Sequence, residues 1–207
     1  MLLGVGRDGG VAMEKDTFGC VWHTTKLCSG KYLDLINPQP DQITLEDIAR
    51  GLSHICRFGG QVPRFYSVAE HCLWARYRAA AENLPEGAML ACLFHDAAEA
   101  FIGDVVKPLK VMLTGYAEVE ERLQEAIARK WRIDFARYAD VVKRIDRELL
   151  MAERRVFFGK DSVKWNGEDE VRRIPFQPRY WSPDDACSEF LCFARRLLLK
   201  SQGVSVG

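Results

Sequence analysis

Apolar residues recur along this chain at spacings of three and four, and the punctuation between the runs predicts a set of helices. Leu45, Ile48, Leu52 and Ile55 share one helical face. Thr44 stands before that run with Asp47 three residues on, which reads as a capping box. Gly59, Gly60 and Pro63 break the pattern. Ser67 to Glu70 then reads as a second capping box, opening a helix that runs to about Ala81. After Asn83 to Gly87 a strongly apolar helix is expected from about Ala88 to Ala100, ended by Gly103 and Pro108. Val119, Leu123, Ile127 and Trp131 mark another helix, and Val141, Ile145, Leu149, Ala152 and Val156 a longer one. Residues 159–178 read as a loop. Ser182, Pro183, Asp184 and Asp185 then supply a cap, a first-turn proline and acids for the positive end of the last helix.

Little strand is expected. Residues 20–35 allow a short hairpin turning at Ser29 and Gly30, and the glycine-rich residues 1–16 read as a loose N-terminal tail. The prediction is therefore an all-α fold of about six main helices around one core, in a single domain over residues 17–207. A chain of 207 residues has room for such a core.

Composition narrows the function. Lys and Arg balance Asp and Glu at 29 each, which argues against a nucleic-acid polymer or an anionic membrane as partner, since both are bound by surplus positive charge. Cations that bind a phosphate group must then be local. The seven cysteines form no CxxC pair, so a cytosolic redox setting is expected, with residues such as Cys72 and Cys92 acting as small buried hydrophobes. The N-terminal apolar stretch is too short for a signal peptide, and no apolar run approaches the roughly 20 residues of a membrane span. A soluble, cytoplasmic protein is expected.

Candidate chemistry lies where ionisable groups enter the apolar stripes. Of four histidines, His71 sits on the stripe Val68, His71, Cys72, Ala75, Ala79, and His95 with Asp96 interrupts the run LACLFHDAAEAF. Asp146 lies beside Ile145 and close to Leu149. Ionised carboxylates rarely enter such surroundings unpaired, and a shared divalent cation would offset the desolvation. Two imidazole nitrogens and two carboxylate oxygens suit Mn, Fe, Co, Ni or Zn. Each residue also has a plainer role: a buried histidine is commonly hydrogen-bonded core, and Arg144 or Arg147 could pair with Asp146.

The ordered set His71, His95-Asp96 and Asp146, with SVAEH (67–71) and HDAAEAFIGD (95–104) around it, resembles the H…HD…D signature of the HD-domain metal-dependent phosphohydrolases. The likeness runs from about Trp22 to the final helix. The chain resembles bacterial 5′-deoxynucleotidases and phage deoxynucleoside triphosphohydrolases, including dATP-hydrolysing ones. The resemblance implies the HD helical fold, with His71, His95, Asp96 and Asp146 as ligands of a divalent metal ion (Co, Mn, Zn, Mg, Ni or Fe). It implies catalytic roles for Glu99 and Asp104 and a phosphate-contacting or loop-positioning role for Arg57. Glu99 is one helical turn beyond His95 and so shares its face. It would manage the proton of an attacking water, unless it forms an ordinary salt bridge, while Asp104 would orient that water or assist the departing 5′ oxygen.

Phe58 would pack on the sugar or belong to the core. Arg64, Lys107 and Lys110 flank the site in sequence, and several cations together suit a triphosphate, although Lys110 reads equally well as solvated surface charge. Trp22 and Ile36 lie in the segment that helps to form the base pocket in related phage enzymes. At position 61, often His in that group, this chain has Gln61.

The expected reaction is hydrolysis of the 5′-phosphate linkage of deoxynucleotides, giving a deoxynucleoside with phosphate or with triphosphate, inside a bacterial or phage-infected cell. A di-iron oxygenase on the same fold would need further histidines, and His23 and His54 fall outside the matching helices; the GYP element of cyclic-dinucleotide phosphodiesterases is missing. A non-catalytic nucleotide sensor is the other alternative. By the same resemblance a homo-oligomer, a dimer or larger ring, is expected, and Phe190, Phe193, Leu197 and Leu198 on the last helix would serve either its interface or the core.

Overall fold

The computed structural model describes residues 23–159, 165 and 167–201; the expected tail, Trp22 and part of the loop after Gly159 lie outside them. Among these residues the fold is all-α, apart from one small hairpin and an isolated antiparallel bridge between Cys56 and Ser67.

Strands β1 (Thr24–Lys26) and β2 (Tyr32–Asp34) pair antiparallel with Thr25 opposite Leu33, and Gly30 supplies the positive φ of the turn between them. Helix α1 (Leu45–His54) starts at Thr44, whose hydroxyl accepts from the Asp47 N–H while the Asp47 carboxylate accepts from the Thr44 N–H, the predicted capping box. Helix α2 (Val68–Ala81) begins at Ser67, whose hydroxyl accepts from the Glu70 N–H. Here the expected box is only half formed. The Glu70 carboxylate turns away and accepts from the N–H groups of Arg179, Tyr180 and Trp181, at 2.6, 3.3 and 3.1 Å. A first-turn acid thereby fastens the segment that leads into the last helix.

The single apolar helix expected over 88–100 is two. Helix α3 (Glu86–Phe94) gives way to a tight turn and then to the short α4 (Glu99–Ile102). Across the junction the backbone remains right-handed, but its bonds close over three residues instead of four: Ala97 to Phe94, Glu99 to Asp96, Ala100 to Ala97. Gln124 secures the turn from outside, donating to the Phe94 carbonyl and accepting from the Ala98 N–H. It extends from α6 (Tyr116–Trp131), which follows the short α5 (Lys107–Lys110). The long α7 (Phe135–Phe158) and α8 (Pro183–Ser201), capped at Ser182, complete the set.

Helix α3 is apolar nearly all round because it is the central rod, packed against α2, α7 and α8. Phe94 is fully buried between the rings of Trp131 and Phe190. Burial of each of Leu90, Leu93 and Phe94 contributes about 1.5–3 kcal/mol, which fixes the end of α3 firmly. On α8, Phe190, Leu197 and Leu198 are buried in this same core, and Phe193 lies partly buried beneath Arg76. Of the two roles open to that face, the chain itself uses it as core. No helix among the described residues is long and apolar enough to cross a membrane.

Candidate metal centre

Three helical segments bring the four predicted ligands together. The Ser67 cap sets His71 in the first turn of α2, on the face with Val68, Cys72 and Ala75. Phe94 anchors the turn that carries His95 and Asp96, and α7 presents Asp146 between the buried Ile145 and Leu149. His71 Nε2 lies 3.1 Å from Asp146 Oδ1 and 3.6 Å from Asp96 Oδ2. His95 Nε2 lies 3.1 Å from Asp96 Oδ2 and 3.7 Å from Asp146 Oδ1. The two Nε2 atoms are 3.2 Å apart. Both imidazoles are buried, whereas the Asp146 side chain keeps 42% of its surface exposed, so the cluster is open on that side. The arginines that could have neutralised Asp146 are engaged elsewhere: Arg144 with Glu82 and Glu148, Arg147 with Glu170.

The far side of each ring fixes its proton. His95 Nδ1 lies 2.8 Å from the Cys92 carbonyl oxygen, which can only accept. His71 Nδ1 lies 2.6 Å from Glu153 Oε1. With hydrogen on both Nδ1 atoms, both Nε2 atoms are free to present lone pairs to the shared space. The electrostatics show what such a cluster needs. Burial opposes charge on His95, but Asp96, Cys72 and Asp146 together outweigh it and raise the imidazolium pKa well above its ordinary value. Burial and Arg57 likewise oppose charge on His71, yet Glu153 and Asp146 raise it. Two protonated nitrogens could not face each other at 3.2 Å without repulsion. One cation between two nitrogen lone pairs and two carboxylates removes the conflict. His71, His95 and Asp146 thus form a group that could hold a metal ion, and Asp96 completes an N2O2 set.

Behind the ligands lies a network that the sequence reading missed. Arg57, buried, donates through Nη2 to Glu153 Oε2 at 3.1 Å and places Nη1 3.6 Å from Asp96 Oδ2. Tyr66 donates its hydroxyl to Glu153 Oε1 at 2.8 Å. The resemblance implies a phosphate-contacting or loop-positioning role for Arg57; here it lies between Asp96 and this buried acid.

Glu99, at the start of α4, is 7% exposed, and its Oε2 has no hydrogen-bond partner among the described residues. Burial, reinforced by the charges of Asp96 and Asp104, pushes its carboxyl up to about 9. No salt bridge involving Glu99 is formed among the described residues, so the salt-bridge alternative finds no support. Burial also raises Asp104, with Arg57 opposing. Glu99 and Asp104 therefore stand within electrostatic reach of the ligand cluster and of each other. A cleft of about 720 Å³, lined by Asp96, Ala98, Glu120, Gln124, Ile133 and Phe135 among others, opens beside His95.

The remaining candidates are not gathered at this cluster. Phe58 packs edge-on against Phe157 and Phe158 and near Trp165, the core alternative. Arg64 stacks on Tyr180, and Gln61 is exposed. Lys107 is exposed, and Lys110 pairs with Glu120 at 2.5 Å. Ile36 is exposed beyond the hairpin, and Trp22 lies outside the described residues. His23 faces Asp34, and His54 bonds to Ser53 and the Arg50 carbonyl, so neither joins the cluster. Cys72, fully buried, is adjacent to His95 and Asp96.

No protein-family profile matches the chain. It is 37% identical over 142 residues to the uncharacterized protein YfdR of Escherichia coli (strain K12), spanning 68% of this chain and 75% of that protein. It is 41% identical over 107 residues to the uncharacterized protein RCAP_rcc00048 of Rhodobacter capsulatus, spanning 49% of this chain and 55% of that one.

Proposed function

This chain belongs to the family of YfdR, and we propose that it is a metal-dependent phosphohydrolase, of HD type, that cleaves the 5′-phosphate linkage of deoxynucleotides. The observation that carries this reading is the convergence of His71, His95, Asp96 and Asp146, with each imidazole tied back at Nδ1 and the cluster open beside Asp146. His71, His95, Asp96 and Asp146 would hold a divalent cation, which would supply Lewis acidity at a phosphoryl oxygen and lower the pKa of an attacking water.

The protein's own groups handle the protons and the geometry. Glu99 has a poorly solvated carboxyl, raised to about 9 by burial, Asp96 and Asp104; a cation held by the cluster would favour its ionised form, in which it could accept the proton of the attacking water. As water adds to phosphorus, the bond from phosphorus to the 5′ oxygen breaks. The leaving oxygen then takes a proton, for which the raised Asp104 is the suited donor. Arg57 keeps Asp96 in place from behind. The cleft beside His95 and Asp96 provides room for the nucleoside.

The test is turnover of a panel of dNMPs, dNTPs and NTPs by chelator-stripped protein supplied with Mn, Co, Ni, Mg, Zn or Fe(II), with Asp96→Ala and Glu99→Ala in parallel. Metal-dependent release of a deoxynucleoside, lost in both variants, is the expected result. Phosphate or triphosphate as co-product fixes the substrate class. Absence of turnover with every metal and nucleotide would refute the enzyme reading and leave a nucleotide sensor.

A further inference from the structure

We propose that Glu153 is a positioning residue of the metal centre, orienting His71 directly and Asp96 through Arg57. The proposal rests on the metal-binding half of the reading above and is independent of which phosphoester is cleaved.

Glu153 follows Asp146 by seven residues on α7, two helical turns, so one helix carries a ligand and its support on the same side. The Glu153 side chain is entirely buried. A carboxylate is costly to bury, and here three groups donate to it. Oε1 accepts from His71 Nδ1 at 2.6 Å and from Tyr66 Oη at 2.8 Å, while Oε2 accepts from Arg57 Nη2 at 3.1 Å. Tyr66 is itself fully buried and wedged against Phe157 and Phe176, so the hydroxyl that holds Oε1 cannot swing away.

An ion pair with Arg57 alone would serve stability. The contact to His71 does something further. It keeps hydrogen on Nδ1, leaves Nε2 as the donor toward the cation, and sets the rotation of the ring. Arg57 extends the effect: with Nη2 on Glu153, its Nη1 faces Asp96 Oδ2 at 3.6 Å. One buried carboxylate thus governs a nitrogen donor and an oxygen donor on two separate segments.

The experiment is a titration of chelator-stripped protein with Co(II), read by calorimetry and by the visible absorption of the bound ion, for wild type, Glu153→Gln and Tyr66→Phe. Thermal unfolding in chelator serves as the folding control. Glu153→Gln is expected to bind Co(II) about 10–100-fold more weakly with a shifted visible band. Tyr66→Phe, which loses one hydroxyl, is expected to shift in the same direction by less. A folded Glu153→Gln with wild-type affinity and spectrum would overturn the positioning role and leave the metal reading intact. Should Glu153→Gln fail to fold, Tyr66→Phe decides: a weakened, shifted site supports the role, and a wild-type site overturns it. A wild-type protein that binds no Co(II) would sink the metal reading itself, and this proposal with it.

Discussion

Replacing Gly51 by alanine should reach Glu99, the candidate catalytic base, without touching it. Gly51 lies on α1 where that helix meets α4. A Cβ there would stand 2.5 Å from the Ala100 carbonyl oxygen, 2.8 Å from the Ala100 Cβ and 2.9 Å from its Cα. Carbon atoms rest about 3.5–4.0 Å apart, so against the 2.8 Å contact Ala100 must retreat by roughly 0.7 Å or more. Two effects compete. Alanine in a helix interior gains about 0.8–1 kcal/mol over glycine, and overpacking costs about 1–3 kcal/mol. The net expectation is a loss of about 0–2 kcal/mol in unfolding free energy. Function should suffer more than stability, because Ala100 adjoins Glu99 and a misplacement of about 1 Å can cost on the order of 10²-fold in rate. His71 and Asp146 sit on α2 and α7, outside the clash, whereas His95 and Asp96 lie on the turn leading into α4, so metal affinity should fall by less than turnover. Urea unfolding, Co(II) titration and turnover separate the three quantities. A Gly51→Ala protein that gains the full helix-propensity increment and turns over at the wild-type rate would refute the claim that the α1–α4 contact sets Glu99.

Two further outcomes follow from the same contacts. Supplying Mn(II) or Co(II) to stripped protein at about 100 times its Kd should stabilise it by about 2.7 kcal/mol. That is roughly 5–10 °C in Tm for a chain of this size, and His95→Ala should abolish the gain in thermal scans. Glu82, held by Arg144 and Arg172, has its carboxyl lowered to about 2, so its contribution to stability is present above the ordinary carboxylate range and fades as pH falls toward about 2. Glu82→Gln should therefore be less stable than wild type at pH 7, with the difference closing in acid. Urea unfolding of both metal-free proteins across pH checks this, and a gap that stays constant would mean that Glu82 acts through shape and not charge.

Local signals in the sequence were legible wherever local physics decides the structure. Thr44 with Asp47, Ser182 before Pro183, and Ser29-Gly30 each act within a few residues, and each does what its pattern predicts. The misreadings arise where a distant partner wins. Ser67 and Glu70 satisfy the capping-box pattern, but three N–H groups more than a hundred residues away compete for the Glu70 carboxylate and take it. The run LACLFHDAAEA reads as one helix because apolar spacing over four residues cannot distinguish bonds closed over three residues from bonds closed over four. Gln124, thirty residues from Phe94, holds the tighter form.

The cluster that could hold a metal ion was legible for a different reason. A charged group in an apolar stripe violates the pattern around it, so His71, His95, Asp96 and Asp146 stand out in sequence before any geometry is known. Glu153 violates nothing. It sits in the charged run Glu153-Arg154-Arg155, where Arg154 and Arg155 pair with Glu168. Its one signal is the interval of seven from Asp146, which puts a second carboxylate on the ligand's side of α7. That interval becomes informative only once Asp146 is placed at the cluster, because the residue two turns along lies on the same side of α7. A carboxylate there must find donors. Arg57 offsets its charge, and the imidazole of His71 takes its strongest hydrogen bond. Second-layer groups are harder to read than ligands because their partners, not their neighbours in sequence, reveal them.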